Sequence, residues 1–308
     1  MRRTYFELLI ATLFWGFGFT AANWVLEGMG PVLNTALRFW IAVIFLDLIF
    51  RFKLVKNSGP IQYRFKEWLS LVQPGFFLFA MMVTQTWGLK FTTPSRSGFI
   101  TVMYVMFVPF FERVFMGTRI RPILAVWILM ALTGTSLICE VITRAGINHQ
   151  FLGAINIGDW LTLVCAIFGA GHIIVVNQTM NRVDSAAKYH IYQSIWIALF
   201  ATVTLCFTEG FSALQTHWSL KVWAGLLHLG ILSSAIAFLI QIRAQKTIAP
   251  TTFGLLVLLE SPWALFFSVL LGLEAVSGLQ FAGAGLILLA AAFESLSAYR
   301  ALEKASAR

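Results

Sequence analysis

Apolar residues along this chain come in long, almost unbroken runs. They do not follow the alternation of a half-buried strand or the narrow stripe of a surface helix. A bilayer-crossing helix takes roughly 20 mainly apolar residues. Ten runs of that length fall near 5–25, 32–52, 67–89, 95–115, 121–140, 157–177, 188–208, 219–240, 251–272 and 277–297. The polar segments between them are short. Even the longest, 53–66 and 141–156, are too small to house a soluble module. The pattern predicts an all-α integral membrane protein of ten transmembrane helices. Met1-Arg2-Arg3 followed by an apolar run to Thr20-Ala21-Ala22 loosely resembles a cleavable leader. The run continues through Trp24, Val25 and Leu26, so it is read as a retained first span.

Charge placement sets the orientation. With a cytoplasmic N-terminus, the inner segments collect 17 of the 22 Lys and Arg residues, the outer ones hold Lys90, Arg96, Arg144 and Lys221, and Arg38 lies within a span. Such a bias predicts both termini inside, with basic loops against anionic headgroups. Cleavage of a leader would reverse the side of the C-terminus and spoil this count.

The chain also repeats itself. Trp15-Gly16 returns as Phe168-Gly169, and Gln85, Lys90, Pro94 and Gly98 return as Gln241, Lys246, Pro250 and Gly254, each 156 positions on. Pro109 and Pro262, and Gly117 and Gly272, stand nearly as far apart. The expectation is two five-helix repeats, 1–150 and 151–308. Five is odd, so the second copy lies upside down relative to the first, and Lys90 falls outside where Lys246 falls inside. Inverted repeats are a recurrent design of secondary transporters, whose two halves rock about a central site.

The chain resembles a ten-span member of the drug/metabolite transporter superfamily, of the EamA-like type. The residues that carry the likeness are Leu13-Phe14-Trp15-Gly16, Arg38-Phe39 and the stretch Trp87-Gly88-Leu89-Lys90-Phe91-Thr92-Thr93-Pro94-Ser95-Arg96-Ser97-Gly98. In the second half they are Gly158-Asp159, Glu260-Ser261-Pro262 and Leu271-Gly272-Leu273-Glu274. Family members commonly carry Glu-Pro where this chain has Glu260-Ser261-Pro262, and Gly-Glu where it has Gly117-Thr118 and Gly272-Leu273-Glu274. The resemblance implies export of small metabolites, amino acids or cationic drugs, from a bacterial inner membrane. It implies no cofactor, and a monomer or weak dimer.

Composition agrees with a membrane reading. Residues are 59% hydrophobic and 11% charged, with a mean hydropathy of +0.81, whereas soluble domains carry about 25% charged residues. A water-soluble enzyme, a disordered chain and a nucleic-acid binder are excluded. The net charge of +9 then belongs to the inner loops and not to a polyanion site. Cys139, Cys165 and Cys206 lie in apolar runs without a CxxC spacing and read as small buried hydrophobes, with no metal site.

Polar groups at mid-membrane cost a few kcal/mol each, so each is a candidate for the transport site. Glu260 stands two residues before Pro262, which has no N–H for the carbonyl of Leu258. It reads as a substrate-ammonium or proton-coupling group, or as a hydrogen-bonded structural glutamate. Gln85 and Gln241 hold matching places in the two halves and suit the polar atoms of a solute, or they bind helix to helix. His172, beside Gly169 and Gly171, is a proton carrier or a neutral hydrogen-bonding group. Tyr104 matches Glu260 by the repeat offset, and Asn23, Trp15 and Trp87 are further candidates. Arg38 lies about 9 Å of helix rise inside the outer face; it either snorkels outward or captures an anionic group. Trp24, Trp218 and Trp223 read as interfacial anchors. Asp47, Glu112, Glu140, Asp159 and Glu294 fall near predicted helix ends, where water or headgroups can solvate them.

No GxxxxGK[ST] is present to bind ATP, and neither HExxH nor GxSxG occurs. The partners expected are a small-molecule substrate, the lipid bilayer and protons, without nucleic acid. Secondary transport by alternating access leads. An obligate exchanger of the sugar-phosphate or nucleotide-sugar type, which would want several buried basic residues, and a membrane-embedded enzyme or receptor stand as alternatives.

Overall fold

The computed structural model describes residues 2–52, 62–92, 94–149, 155–210, 213, 215–272 and 276–306. Lys53 and Lys56 of the charge count, Thr93, and the Leu273-Glu274 end of the last motif lie outside them. The helices are α1 (Arg2–Leu26), α2 (Pro31–Arg51), α3 (Phe65–Leu69), α4 (Val72–Gly88), α5 (Pro94–Val102), α6 (Tyr104–Met116), α7 (Ile123–Ile138), α8 (Ile157–Thr179) and α9 (Ala186–Thr208). They continue with α10 (Leu220–Leu227), a π-helical stretch (His228–Ala237), α11 (Phe238–Gln245), α12 (Pro250–Val257), α13 (Glu260–Leu270) and α14 (Gly278–Ser306).

Among the described residues, eight helical stretches are long and apolar enough to cross a membrane. Two runs predicted as spans are shorter: α7 has 16 residues, and α4 has 17 after a break at Ser70-Leu71 that parts it from α3. The segment after α7 departs from all-α, because Ile142–Thr143 and Gly146–Ile147 pair as an antiparallel ribbon. Gly146 closes its turn at φ 105, a backbone conformation natural to glycine.

Local chemistry sets the helix ends. Pro31 and Pro250 open α2 and α12, where a missing N–H costs nothing. Asn156 and Asp159 form a reciprocal capping box at α8, and Ser185 and Ser219 cap α9 and α10. The α2 start is also capped by Glu209, which accepts from the N–H groups of Val32 and Leu33 at 3.1 and 3.3 Å.

Helix α4 packs along α8, α7 along α14, α2 along α9, and α1 against α13, α10 and the π stretch. Every residue of α12 is buried, surrounded by α6, α8 and α14 in the largest apolar cluster. Elsewhere large apolar side chains face outward, among them Phe207, Leu220, Phe281 and Leu129. Such a belt is unfavourable in water and natural in lipid.

Three acidic residues expected in water are buried instead. Glu112 accepts from the N–H of Thr251 at 3.0 Å and also from its hydroxyl. Glu294 pairs with Arg121 at 2.5 Å and accepts from Thr252 at 2.6 Å. Asp159 is held by its capping box and by Thr92 at 2.9 Å. The partners come from other elements, which a reading of single helix ends does not see. Cysteines also split: Cys165 is buried, Cys139 half-buried and Cys206 exposed. Outside the spans, burial and a hydrogen bond to Asp47 push the Tyr63 phenol up.

Candidate functional site

Two of the membrane-crossing stretches, Ser97–Met116 and Pro250–Leu270, are interrupted partway along their length. Between α12 and α13 the ladder tightens into turns at Leu258 and Leu259, so Glu260 becomes the first residue of α13. The carbonyl of Leu258, expected to be left free by Pro262, accepts from the N–H of Ser261 at 3.0 Å. Between α5 and α6 a similar turn at Met103 makes Tyr104 the first residue of α6. The Tyr104 hydroxyl donates to the carbonyl of Gly254 at 3.3 Å, tying the two broken spans together.

Around these breaks lies a cavity with about 800 Å³ of space not filled by atoms, open solvent included. Of the nine residues singled out from the sequence, seven line it: Glu260, Tyr104, Gln85, Gln241, His172, Trp15 and Arg38. Asn23 and Trp87 do not. Asn23 is exposed on the last turns of α1, and Trp87 is half-buried one residue before the end of α4. Phe19, Met81, Met82, Phe238 and Phe253 give the rest of the wall an apolar character.

The polar groups differ in how far protein partners satisfy them. Gln241 donates to Gln245 at 3.2 Å, which in turn donates to the carbonyl of Ile173 at 2.9 Å. Gln85 donates to Thr101 at 3.4 Å. A ring nitrogen of His172 lies 3.0 Å from the Gln193 side-chain oxygen. Trp15 donates to the carbonyl of Ser233 at 3.2 Å and meets Phe238 edge-on at 5.3 Å. Two ionisable groups stand apart from these. The carboxyl of Glu260 has neither a hydrogen bond nor an ion pair among the described residues. Arg38 likewise forms no ion pair among them, and only its Nε is bonded, donating to Ser234 Oγ at 2.8 Å. It does not snorkel outward; it turns toward the π stretch and lies near the Phe39 ring at 5.5 Å.

Close helix packing places Glu260. A Cβ built on Gly16 would sit 2.4 Å from Trp263 Cβ and 2.9 Å from the carbonyl oxygen of Glu260. Only glycine lets α1 approach α13 so nearly, and this brings Trp15 and Glu260 to the same cavity.

Ser233 lines the cavity, Ser234 and Gln193 bond the lining residues Arg38 and His172, and His190 bonds Ser234; the sequence reading named none of the four. The adjacent serines inside span eight and the buried His190 and Gln193, three apart on α9, were the available signals. The π-helical register that turns the serines to three neighbouring helices has no mark in the sequence. Among the described residues, no group of three His, Cys, Asp or Glu could hold a metal ion.

The arrangement can hold a solute with an apolar body, a cationic group at Glu260 and an anionic group at Arg38, while the amides of Gln85 and Gln241 offer both donors and acceptors.

Comparisons with known proteins agree with this architecture. An uncharacterized transporter of Archaeoglobus fulgidus is 26% identical over 301 residues, covering 96% of this chain and 87% of that protein. A crystal structure of another protein, 20% identical, superposes with a TM-score of 0.76 over 97% of this chain and 99% of that one, which shows the same fold. The sequence profile of the EamA-like transporter family matches residues 2–139 and 156–296. A multi-pass membrane transporter, the chain belongs to the EamA-like transporter family.

Proposed function

We propose that this protein is a secondary transporter that exports small zwitterionic metabolites, amino acids foremost, across the inner membrane by alternating access. The observation that carries the reading is that an arginine and a carboxylic acid, Arg38 and Glu260, line one cavity without ion partners among the described residues. Unpaired charges inside an apolar bundle are expensive, and a ligand that carries both complements removes that cost. Among the described residues of the cavity wall, Arg38 is the one Lys or Arg, which suits a carboxylate better than a phosphorylated exchange substrate. Cationic drugs would use Glu260 alone.

In this reading α3 with α4 forms the third span and α7 the fifth, so ten spans make two inverted five-helix repeats with both termini cytoplasmic. Several features support the repeat. The helix breaks before Tyr104 and Glu260 fall 156 positions apart, and Gly117 and Gly272 both follow them at φ 67. The packing is nearly unchanged when the halves are exchanged. The pairing of α4 with α8 answers that of α1 with α10 and the π stretch, and α9 with α4 answers α2 with the π stretch. The family profile falls on two stretches of similar length. Two similar halves around one site can take two end states of similar energy.

The test is reconstitution into sealed proteoliposomes preloaded with mixed amino acids, with and without a pH gradient. Gradient-linked efflux is expected from the native chain, and Glu260→Gln should abolish it while leaving the protein folded. Undiminished gradient-driven efflux from that variant would make Glu260 structural.

A further inference from the structure

The π-helical stretch ties together three helices through two adjacent serines. Trp15 of α1 donates to the carbonyl of Ser233, whose hydroxyl donates back to the carbonyl of Phe14 at 3.1 Å. His228, at the start of the same stretch, also reaches the Phe14 carbonyl, at 2.9 Å. Arg38 of α2 donates from Nε to Ser234 Oγ at 2.8 Å. On α9, His190 lies with Nε2 2.7 Å from the carbonyl oxygen of Ser234. A carbonyl only accepts, so Nε2 carries the proton there. Ser234 is thus gripped twice, at its backbone by His190 and at its side chain by Arg38. Ser234 and His190 are both fully buried.

The choice of arginine nitrogen has a consequence. A guanidinium offers a carboxylate two forks, one formed by Nε with a terminal nitrogen and one by the two terminal nitrogens. Ser234 occupies Nε, which closes the first fork. Nη1 and Nη2 make no hydrogen bond to any described residue, and Arg38 lies in the cavity wall. We propose that Ser234 is a positioning residue that holds Arg38 by Nε so that its terminal fork receives the carboxylate of the transported solute, with His190 fixing Ser234 in turn. The proposal rests on the reading of the cavity as the transport site and adds the device that aims its cationic end. Neither Ser234 nor His190 need touch the solute.

The experiment is calorimetric titration of the full chain in detergent with two probes, L-phenylalanine and L-phenylalaninamide. They share the ammonium and the ring, and the apolar wall suits both, but only the first carries a carboxylate. The native chain is expected to bind phenylalanine at least about tenfold more tightly than the amide, the scale of one charge-assisted contact. Ser234→Ala should weaken phenylalanine binding by about tenfold and leave the amide within about twofold. Ser234→Thr, which keeps the hydroxyl, should restore the discrimination. Equal weakening of both probes by Ser234→Ala would mark Ser234 as merely structural. A native chain that binds the two probes alike, or binds neither, would overturn the proposal as well. Those results leave Glu260-dependent efflux as a separate question, so a failure of the positioning role and a failure of the transport site are told apart.

Discussion

The contact between α1 and α13 offers a perturbation whose size the structure sets. Gly16→Ala adds one methyl group where a Cβ would meet Trp263 Cβ at 2.4 Å, the Glu260 carbonyl oxygen at 2.9 Å and the Ala264 nitrogen at 3.0 Å. All three are backbone or Cβ atoms, so none can swing aside as a side-chain tip would. Restoring ordinary contact requires the two helices to part by about 1 Å, and overpacking of this kind costs about 1–3 kcal/mol. For a chain of this size that corresponds to a fall in melting temperature of roughly 2–5 °C. The same displacement separates Trp15 from Glu260 across the cavity, so efflux should fall by about tenfold, the scale of a 1.4 kcal/mol change. The assay is thermal unfolding of the detergent-solubilised protein beside efflux from proteoliposomes. Gly98→Ala is the control, since nothing lies within 4 Å of its Cβ position; a helical alanine there should leave stability unchanged or slightly raised. Gly16→Ala with a melting temperature within about 1 °C of the native chain and full efflux would refute the close approach.

The ion pair at Arg121 and Glu294 gives a second prediction. Arg121→Ala leaves a fully buried carboxylate without its cation and should cost about 3 kcal/mol, read by thermal unfolding, whereas Arg121→Met with Glu294→Leu should recover most of the loss. Orientation gives a third. Single cysteines at Gly146 and Asp184 should react with an impermeant thiol reagent from opposite sides of sealed vesicles, Gly146 from outside and Asp184 from inside. Labelling from the same side would remove the inverted topology.

Much of this architecture is legible in the chain because lipid imposes length and apolarity on every span. The helices lie where the apolar runs do, from α1 at Arg2–Leu26 to α14. Seven of the nine candidate residues converge because intramembrane polarity is costly enough to have few causes. What stayed hidden depends on partners from distant elements. Glu112 sits near the end of α6, and Glu294 falls near the end of the last apolar run although α14 continues to Ser306; both serve the first turn of α12. Arg38 could have turned outward, and only the π register that presents Ser234 gives it an inward acceptor. The breaks at Met103 and Leu258-Leu259 were hinted at by Pro262 alone, and the freed carbonyl found Ser261 instead of the cavity.

The most direct test of the central claim is amino-acid efflux from sealed proteoliposomes, native chain against the double variant Arg38→Gln with Glu260→Gln. If the two charges form the transport site, the native protein gives saturable efflux and the folded double variant falls to the rate of protein-free liposomes. Equal, saturable efflux from both would contradict it and move the substrate path away from this cavity.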